Sequence, residues 1–257
     1  MKLTVLGGAS AAPNARQGCS GYLLEAAGRR LVLDLGAGTL PELRAHADLR
    51  RLDAMILSHL HIDHCLDLFA LFWALCTDLE RLPGPTPVHL PPGGVPFVRG
   101  AIDALAPEGV RFAEIEQVFK LAEYDPDGEL EIGSLRVTFA PTSHYVPCWA
   151  IRVADGAGRA CVYTGDTGPG ADLRPLATGA QTLVAEAMLL ETSRYGDGFR
   201  GSSTAAEAAA LARDAGVDTL VITHISEERG RIAALRQAAD IFPGRLEIAM
   251  PGLQVEW

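Results

Sequence analysis

The sequence is poor in the features that mark secreted, membrane-spanning or disulfide-stapled proteins. Its five cysteines are an odd number, lie far apart and form no Cys-x-x-Cys pair, which favours reduced thiols over a disulfide framework. No apolar run reaches the roughly 18 residues that a membrane span needs, and no secretory signal opens the chain. We therefore expect a cytoplasmic protein with no membrane partner.

Basic residues are also scarce relative to acidic ones. The 22 Lys and Arg residues against 32 Asp and Glu residues give a net charge of −10 at pH 7. Because cationic side chains supply most of the affinity for a phosphate backbone, this balance disfavours a nucleic acid as partner. It leaves room for a small anionic substrate. The 48% hydrophobic and 21% charged residues among 257 predict an ordinary globular protein with a large core.

The most informative feature present is a His-x-His-x-Asp-His motif, which groups four possible metal ligands: His59, His61, Asp63 and His64. It follows a predicted buried strand, Arg51–Leu57, and precedes a predicted helix, Leu66–Leu82. Imidazole nitrogen and carboxylate oxygen are the donors that Zn²⁺ and related first-row metals take. The motif therefore predicts metal binding, with further ligands supplied from elsewhere in the chain.

Three further candidate ligands each follow a predicted strand. His144 comes after Ser134–Ala140, Asp166 after the strand that ends at Thr164, and His224 after Val217–Thr223. Each residue alone could be a buried histidine or a turn-forming aspartate. Together with the motif they make a set of seven.

The order of predicted elements occurs twice, over approximately residues 1–128 and 129–257. Each half reads as strands, a hairpin and then a strand–loop–helix unit, and the segments near the boundary, Val110–Ile115 and Glu129–Ile132, are predicted strands. This layered pattern predicts an α/β fold in which two sheets pack face to face with helices outside.

With these motifs the sequence resembles the metallo-β-lactamase superfamily, and within it the phosphodiesterase branch that holds tRNase Z and bacterial cyclic-nucleotide phosphodiesterases. The resemblance extends over essentially the whole chain. The segments that carry it are the histidine motif, Gly165–Thr167, Leu183–Ala187, Ser203–Glu207 and Leu220–Ser226. It implies a four-layer αββα sandwich of two mixed sheets, with residues 1–257 as a single hydrolase domain.

The resemblance also implies a binuclear metal centre. It assigns His59, His61 and His144 to one divalent ion, and Asp63, His64 and His224 to the other, with Asp166 bridging both. Asp34 would support the ligand loop from behind. We expect Zn²⁺, with Mn²⁺ or Fe²⁺ as alternatives. Two such ions hold an attacking hydroxide between them, which makes Asp63 and Asp166 the catalytic carboxylates.

Two departures from tRNase Z bear on the substrate. Ser202 stands where that family has a catalytic His, and only 21 residues separate His144 from Asp166, which leaves no room for a tRNA-gripping arm. We therefore expect a small-molecule phosphodiester, such as a cyclic nucleotide. The candidates for substrate contacts are Ser202, Tyr145, Tyr195 and Arg200.

Other interpretations remain open at this point. A thioesterase or lactonase would use the same metals and would depend less on a group that protonates the leaving group, so Ser202 argues against it less. A tRNase Z-like ribonuclease is the other alternative. Dimers are common in this branch, so a homodimer is also left open.

Overall fold

The computed structural model describes residues 1–77, 82–105, 112–192 and 198–257, without the side chains of residues 112–114 and 229. The strands in these ranges are β1 Lys2–Gly7, β2 Gly21–Ala26, β3 Arg29–Leu35, β4 Ala54–Ile56, β5 Thr86–Leu90, β6 Phe119–Glu123, β7 Glu129–Ile132, β8 Leu135–Pro141, β9 Trp149–Ala154, β10 Ala160–Tyr163, β11 Thr182–Glu186, β12 Thr219–Thr223, β13 Arg245–Ile248 and β14 Gln254–Glu256. The α-helices are α1 Leu40–His46, α2 Ile62–Cys76, α3 Gly94–Leu105, α4 Phe112–Val118, α5 Arg174–Ala177, α6 Ala205–Ala215 and α7 Arg231–Ala239. None of the helices described is both long and apolar enough to cross a membrane.

The strands form two seven-stranded sheets. The first has the order β14-β1-β2-β3-β4-β5-β6, and the second has the order β13-β12-β11-β10-β9-β8-β7. Strands β3 to β6 run parallel to one another, as do strands β10 to β13, while the hairpins at β1–β3 and β7–β10 are antiparallel. Both sheets are therefore mixed, as predicted.

Alternation along the strands builds the layers. In β2, Tyr22 and Leu24 point into the core between the sheets, and Leu23 points to the helices outside. In β10, Tyr163 faces the inter-sheet core and Val162 faces the alanine-rich helix α6. The four-layer αββα sandwich is thus confirmed. Because both sheets contribute to one central core, we propose that residues 1–257 fold as one domain.

The parallel strands place their carboxyl ends at one edge. Strands β3 and β4 of the first sheet, and β10 to β12 of the second, end there. Strand β8 points the same way as β10, because both pair antiparallel with β9. Loops after parallel strands are where open α/β sheets bind their ligands. This edge therefore gathers the loops that carry the predicted ligands.

Several predicted boundaries are wrong: the strand predicted at Arg51–Leu57 is β4, Ala54–Ile56, and the helix predicted to end at Leu82 ends as α2 at Cys76. Helix α2 begins at Ile62 rather than Leu66, because His61 takes the extended N-cap position and Asp63 then lies in the first turn, where the helix dipole favours a carboxylate. The predicted strand Val110–Ile115 overlaps helix α4, and the strand comes afterwards as β6. Ile115 and Val118, three residues apart, are both buried, which is a helical spacing.

Gly36 allows the start of α2 to lie against the end of β3. A Cβ at this position would overlap the backbone carbonyl oxygen of Asp63. We therefore expect Gly36→Ala to lower the free energy of unfolding by about 1–3 kcal/mol, as overpacking does. Urea denaturation of the metal-stripped protein measures it. The control is Gly100→Ala in helix α3, where a Cβ would meet no atom of the described residues within 4 Å. Equal stability of the two variants would contradict the assigned contact.

Candidate metal centre

The predicted ligands converge at the common strand edge. The histidine motif follows β4 and continues into the first turn of α2, while the later ligands follow β8, β10 and β12: His144, Asp166 and His224, respectively. Gly165 makes the turn before Asp166 possible, because its φ is +58° and its Cα faces Ser58 of the motif loop, where a Cβ would lie 3.1 Å from the Ser58 Cβ. Residues up to 165 positions apart in sequence thereby share one site.

One ligand group consists of three imidazoles and one carboxylate oxygen. The Nδ1 atom of His61 lies 3.1 Å from Nε2 of His59 and 3.1 Å from Nε2 of His144. The Oδ2 atom of Asp166 lies 3.8 Å from Nε2 of His59 and 3.6 Å from Nε2 of His144. His61 and His144 are partly exposed, so the centre opens to solvent on their side.

The other group is fully buried. The Oδ2 atom of Asp63 lies 3.5 Å from Nε2 of His64 and 3.2 Å from Nε2 of His224. Asp166 completes it, with Oδ1 at 3.3 Å from His64 Nε2 and Oδ2 at 3.4 Å from His224 Nε2. The carboxylate of Asp166 therefore faces both groups.

These groups fit divalent metal ions. A tetrahedral ion with bonds of about 2.0–2.1 Å spaces its ligand atoms about 3.3–3.4 Å apart. The separations within the two groups, between 3.1 and 3.8 Å, bracket that value. In addition, His64 Nε2 and Asp166 Oδ1 are buried and form no hydrogen bond with any residue that the structure describes. Buried polar atoms without hydrogen bonds are rare, and a bound metal would satisfy both.

The electrostatics of the carboxylates suit the same purpose. Burial alone would raise the pKa of Asp63 and Asp166, yet the surrounding imidazoles hold the pKa of each well below its usual range. Both are therefore anions at neutral pH. Burial lowers the pKa of His59 and of His61, so these two rings are neutral and ready to donate a lone pair.

Asp34 holds the motif loop from behind. Its Oδ2 accepts hydrogen bonds from His64 Nδ1 at 2.7 Å and from the Ser58 hydroxyl at 2.7 Å, and its Oδ1 accepts one from the Ser58 backbone N–H at 2.7 Å. A carboxylate that accepts from Nδ1 leaves the Nε2 lone pair of His64 pointing at the centre. The Gly201 carbonyl does the same for His144, accepting from its Nδ1 at 2.6 Å.

Tyr163 is a site residue that the sequence did not reveal. Its buried hydroxyl donates the fourth hydrogen bond to Asp34, at 2.8 Å, and its ring lies 4.9 Å from that of Tyr22. The Tyr22 hydroxyl lies 2.5 Å from the Thr223 hydroxyl, next to His224. Two hydrogen bonds and one ring contact thus join the two sheets behind the ligands, from Asp34 through Tyr163 and Tyr22 to Thr223. The only sequence signal is the position of Tyr163 at a strand end, three residues before Asp166.

Glu186 is a second residue of this kind. It ends β11 and accepts hydrogen bonds from the backbone N–H of Thr167 at 2.8 Å and of Met188 at 3.2 Å. Burial, followed by the charge of Asp166, raises the pKa of Glu186 to about 8. The residue therefore fixes the turn that carries Asp166 without adding a full negative charge at neutral pH.

The predicted substrate contacts differ in their exposure and in their neighbours. Tyr145 lies beside His144 and is 59% exposed. Ser202 is buried, with its hydroxyl 3.6 Å from the Met188 sulfur. The Arg200 guanidinium is largely buried and forms a bidentate ion pair with Glu207. Tyr195 lies outside the described residues. Of the three that are described, Tyr145 is the one that the structure presents to solvent beside the centre.

Known proteins share this arrangement of sequence and fold. The sequence profile of a family described as "Beta-lactamase superfamily domain" matches residues 29–225. A probable metallo-hydrolase of Bacillus subtilis, YhfI, is 30% identical over 98% of each chain, and its crystal structure superimposes with a TM-score of 0.82 at 27% identity over 99% of each chain. A ribonuclease Z of Brevibacillus brevis is 30% identical over 95% of this chain and 93% of its own.

This chain belongs to the metallo-β-lactamase superfamily. The human short-form tRNase Z shares the fold as well, with a TM-score of 0.76 at 21% identity over 100% of this chain and 99% of its own. Hydrolases of this superfamily use divalent metal ions, and the chain presents two groups of suitable donors at its strand edge. It is a metal-dependent hydrolase of the metallo-β-lactamase fold.

The Tyr163 hydroxyl can be tested as a support of the superfamily's metal site. Tyr163→Phe removes one hydrogen bond from Asp34 and keeps the ring, so we expect metal affinity to fall by about 10–100-fold, as it does when partners of metal ligands are lost. Competition with a chromogenic chelator measures it. The control is Thr77→Val, which removes a hydroxyl that donates to the Ala74 carbonyl at 2.8 Å, at the end of α2 opposite the ligands. Equal affinities of the two variants would contradict the role of Tyr163.

The two groups should bind metal with different pH dependence. Burial opposes charge on His64 and His224, yet Asp166 and the neighbouring carboxylates raise the pKa of both. These rings are therefore protonated in the metal-free protein below their raised pKa values, and each must release a proton to bind. We expect the affinity of the group that contains His64 and His224 for Zn²⁺ to fall as pH drops from 8 to 6. The fall should be about tenfold per pH unit for each proton released on binding.

Calorimetric titration of the stripped protein with Zn²⁺ at both pH values, in buffers of different ionisation enthalpy, measures this difference. The affinity of the group that contains His59 and His61 should change less with pH, because these two rings have lowered pKa values and bind without releasing protons. A common pH dependence for both equivalents would refute the assignment.

Proposed function

We propose that this hydrolase is a phosphodiesterase that acts on a small phosphodiester, such as a cyclic nucleotide, with two Zn²⁺ ions as its cofactors. The placement of Asp166 is the observation that supports this most. One carboxylate lies within 3.8 Å of ligand nitrogens in both groups, His59 and His144 in one, His64 and His224 in the other. Such a shared ligand favours two adjacent ions, which is the arrangement of enzymes that displace groups at phosphorus.

The proposed reaction needs residues that hold the two ions and a residue that orients the attacking water. The first ion would be held by His59, His61 and His144, and the second by Asp63, His64 and His224, with Asp166 shared. Ions bound there would supply a lowered pKa for water and charge neutralisation for the phosphate oxygens. Asp63, whose pKa is far below its usual range, is an ionised acceptor at neutral pH. It can therefore orient the attacking water or take its proton.

The surroundings favour a small substrate. Between His144 and Asp166 the chain forms only the hairpin of β9 and β10 and its short connections. No extended arm that could grip a folded RNA is inserted there. The net charge of −10 also works against a polyanion, because long-range repulsion grows with the number of phosphates.

A thioesterase or lactonase is the second candidate, and the position of Ser202 favours it. Its hydroxyl is buried, with the Met188 sulfur 3.6 Å away, and a serine hydroxyl is a weaker proton donor than the His that tRNase Z has at this position. Thiolates and many lactone alkoxides need less protonation on departure than a nucleoside alkoxide does. The substrate panel described next therefore includes both classes.

The panel consists of bis-p-nitrophenyl phosphate, 3′,5′-cyclic nucleotides, a pre-tRNA, a lactone and a glutathione thioester, each offered to the zinc-loaded protein. We expect phosphodiester hydrolysis that chelation abolishes and Zn²⁺ or Mn²⁺ restores. His59→Ala and Asp166→Ala should reduce turnover below detection, because each removes a ligand, while circular dichroism shows the fold intact. His46→Ala is the control, since His46 pairs with Glu42 on α1. A ligand variant with wild-type turnover, or a panel in which only the thioester or the lactone reacts, would refute the proposal.

A further inference from the structure

Two exposed aromatic rings border the open side of the metal centre. Tyr145 is 59% exposed and Phe199 is 62% exposed, and their ring centroids lie 5.5 Å apart at an angle of 83°. The Tyr145 ring lies 5.3 Å from the ring of His144, one of the two partly exposed ligands. We call Tyr145 and Phe199 the aromatic rim. Tyr145 thus contacts a ligand directly, and Phe199 extends the apolar surface outward from Tyr145 at a nearly perpendicular angle.

The Tyr145 ring of the aromatic rim packs against the backbone of Gly201. Gly201 passes directly beneath Tyr145, and a Cβ there would lie 2.7 Å from two carbons of the ring. The carbonyl of the same Gly201 accepts the hydrogen bond from His144 Nδ1. One backbone segment therefore fixes both a ligand and the ring beside it. A surface fixed before binding loses little conformational entropy when a ligand arrives.

The charge around the rim indicates what kind of group it can accept. Arg200 follows Phe199, but its guanidinium forms a bidentate ion pair with Glu207, in which Nη1 lies 2.7 Å from Oε2. The same Nη1 donates to the Ser202 carbonyl at 3.3 Å. The described part of the rim thus offers flat apolar faces and a phenol hydroxyl. The anionic part of a ligand would lie at the metal ions, and the part over the rim would be planar and uncharged.

Building on the proposed phosphodiesterase function, we propose that the aromatic rim is the subsite for the nucleobase of a nucleotide substrate. The base stacks on one ring and meets the edge of the other, while its phosphodiester lies at the metal centre. Aromatic rings prefer these offset and edge-to-face geometries. Because every base has a π-face, such a subsite binds adenine and guanine with similar affinity.

The test compares two ligands that share a phosphate and a ribose and differ only in the base. Isothermal titration calorimetry of the zinc-loaded full chain gives the Kd of AMP and of ribose 5-phosphate. We expect AMP to bind about 5- to 150-fold more tightly, the range that corresponds to stacking of one base. Tyr145→Leu and Phe199→Leu should each remove most of this preference, measured within each variant as the ratio of the Kd of ribose 5-phosphate to that of AMP.

Phe97→Leu is the matched control, because Phe97 is an aromatic residue on α3 that is 39% exposed and belongs to neither ligand group. It should keep the full preference for AMP. Equal affinities of the two ligands for the wild-type protein, or an unaltered preference in both rim variants, would overturn the inference. So would a change of oligomeric state in the rim variants by sedimentation, since the rim would then be a contact between copies.

Hydrolysis of bis-p-nitrophenyl phosphate by the same preparations separates this inference from the proposed function. If hydrolysis is retained without a preference for AMP, the phosphodiesterase proposal stands and the subsite is refuted. If no phosphodiester is hydrolysed, yet a preference for AMP is present that the rim variants remove, the subsite is supported and the proposed reaction is refuted.

Discussion

The attraction between one buried carboxylate and the imidazoles around it constrains the whole strand edge. Asp166 is only 3% exposed, and an ionised carboxylate at such a place costs several kcal/mol unless cations or hydrogen bonds compensate it. The compensation comes mainly from His64 and His224, which follow strands of opposite sheets and whose pKa values Asp166 raises. The loops of both sheets must therefore meet at the same edge. The central core between the sheets fixes their relative position.

The supports of the ligands contain the strained backbone of the site. Asp34 and His224 both adopt left-handed conformations, with φ of 54° and 60°, which cost a non-glycine residue about 1–3 kcal/mol. Four hydrogen bonds to the Asp34 carboxylate hold the first in place. The Tyr22–Thr223 contact lies next to the second. The strained residues Asp34 and His224 thus lie at or next to the two ends of the series of contacts that joins the sheets, from Asp34 to Thr223.

Errors in the sequence-based expectations share a physical origin. The start of α2 depended on the extended conformation of His61, which a periodicity of apolar residues does not report. The apolar residues of Val110–Ile115 suited a short strand or a helix equally well, and packing under β6 decided for helix α4. The sequence also did not report the ion pair of Arg200, a candidate substrate contact, with Glu207 in the first turn of α6.

By itself, the sequence determined the donor types and the local order of the site. His59, His61, Asp63 and His64 are close along the chain, and strand-end positions together with the family resemblance indicated the remaining candidate ligands, because a strand and its following loop are local features. Only the tertiary structure decided which side chains stand behind and beside those donors. Tyr163 reaches Asp34 across 129 residues, and Tyr22 meets Thr223 across 201, through contacts that exist only once the two sheets have packed. Such contacts depend on the relative position of whole layers, which no short stretch of sequence encodes.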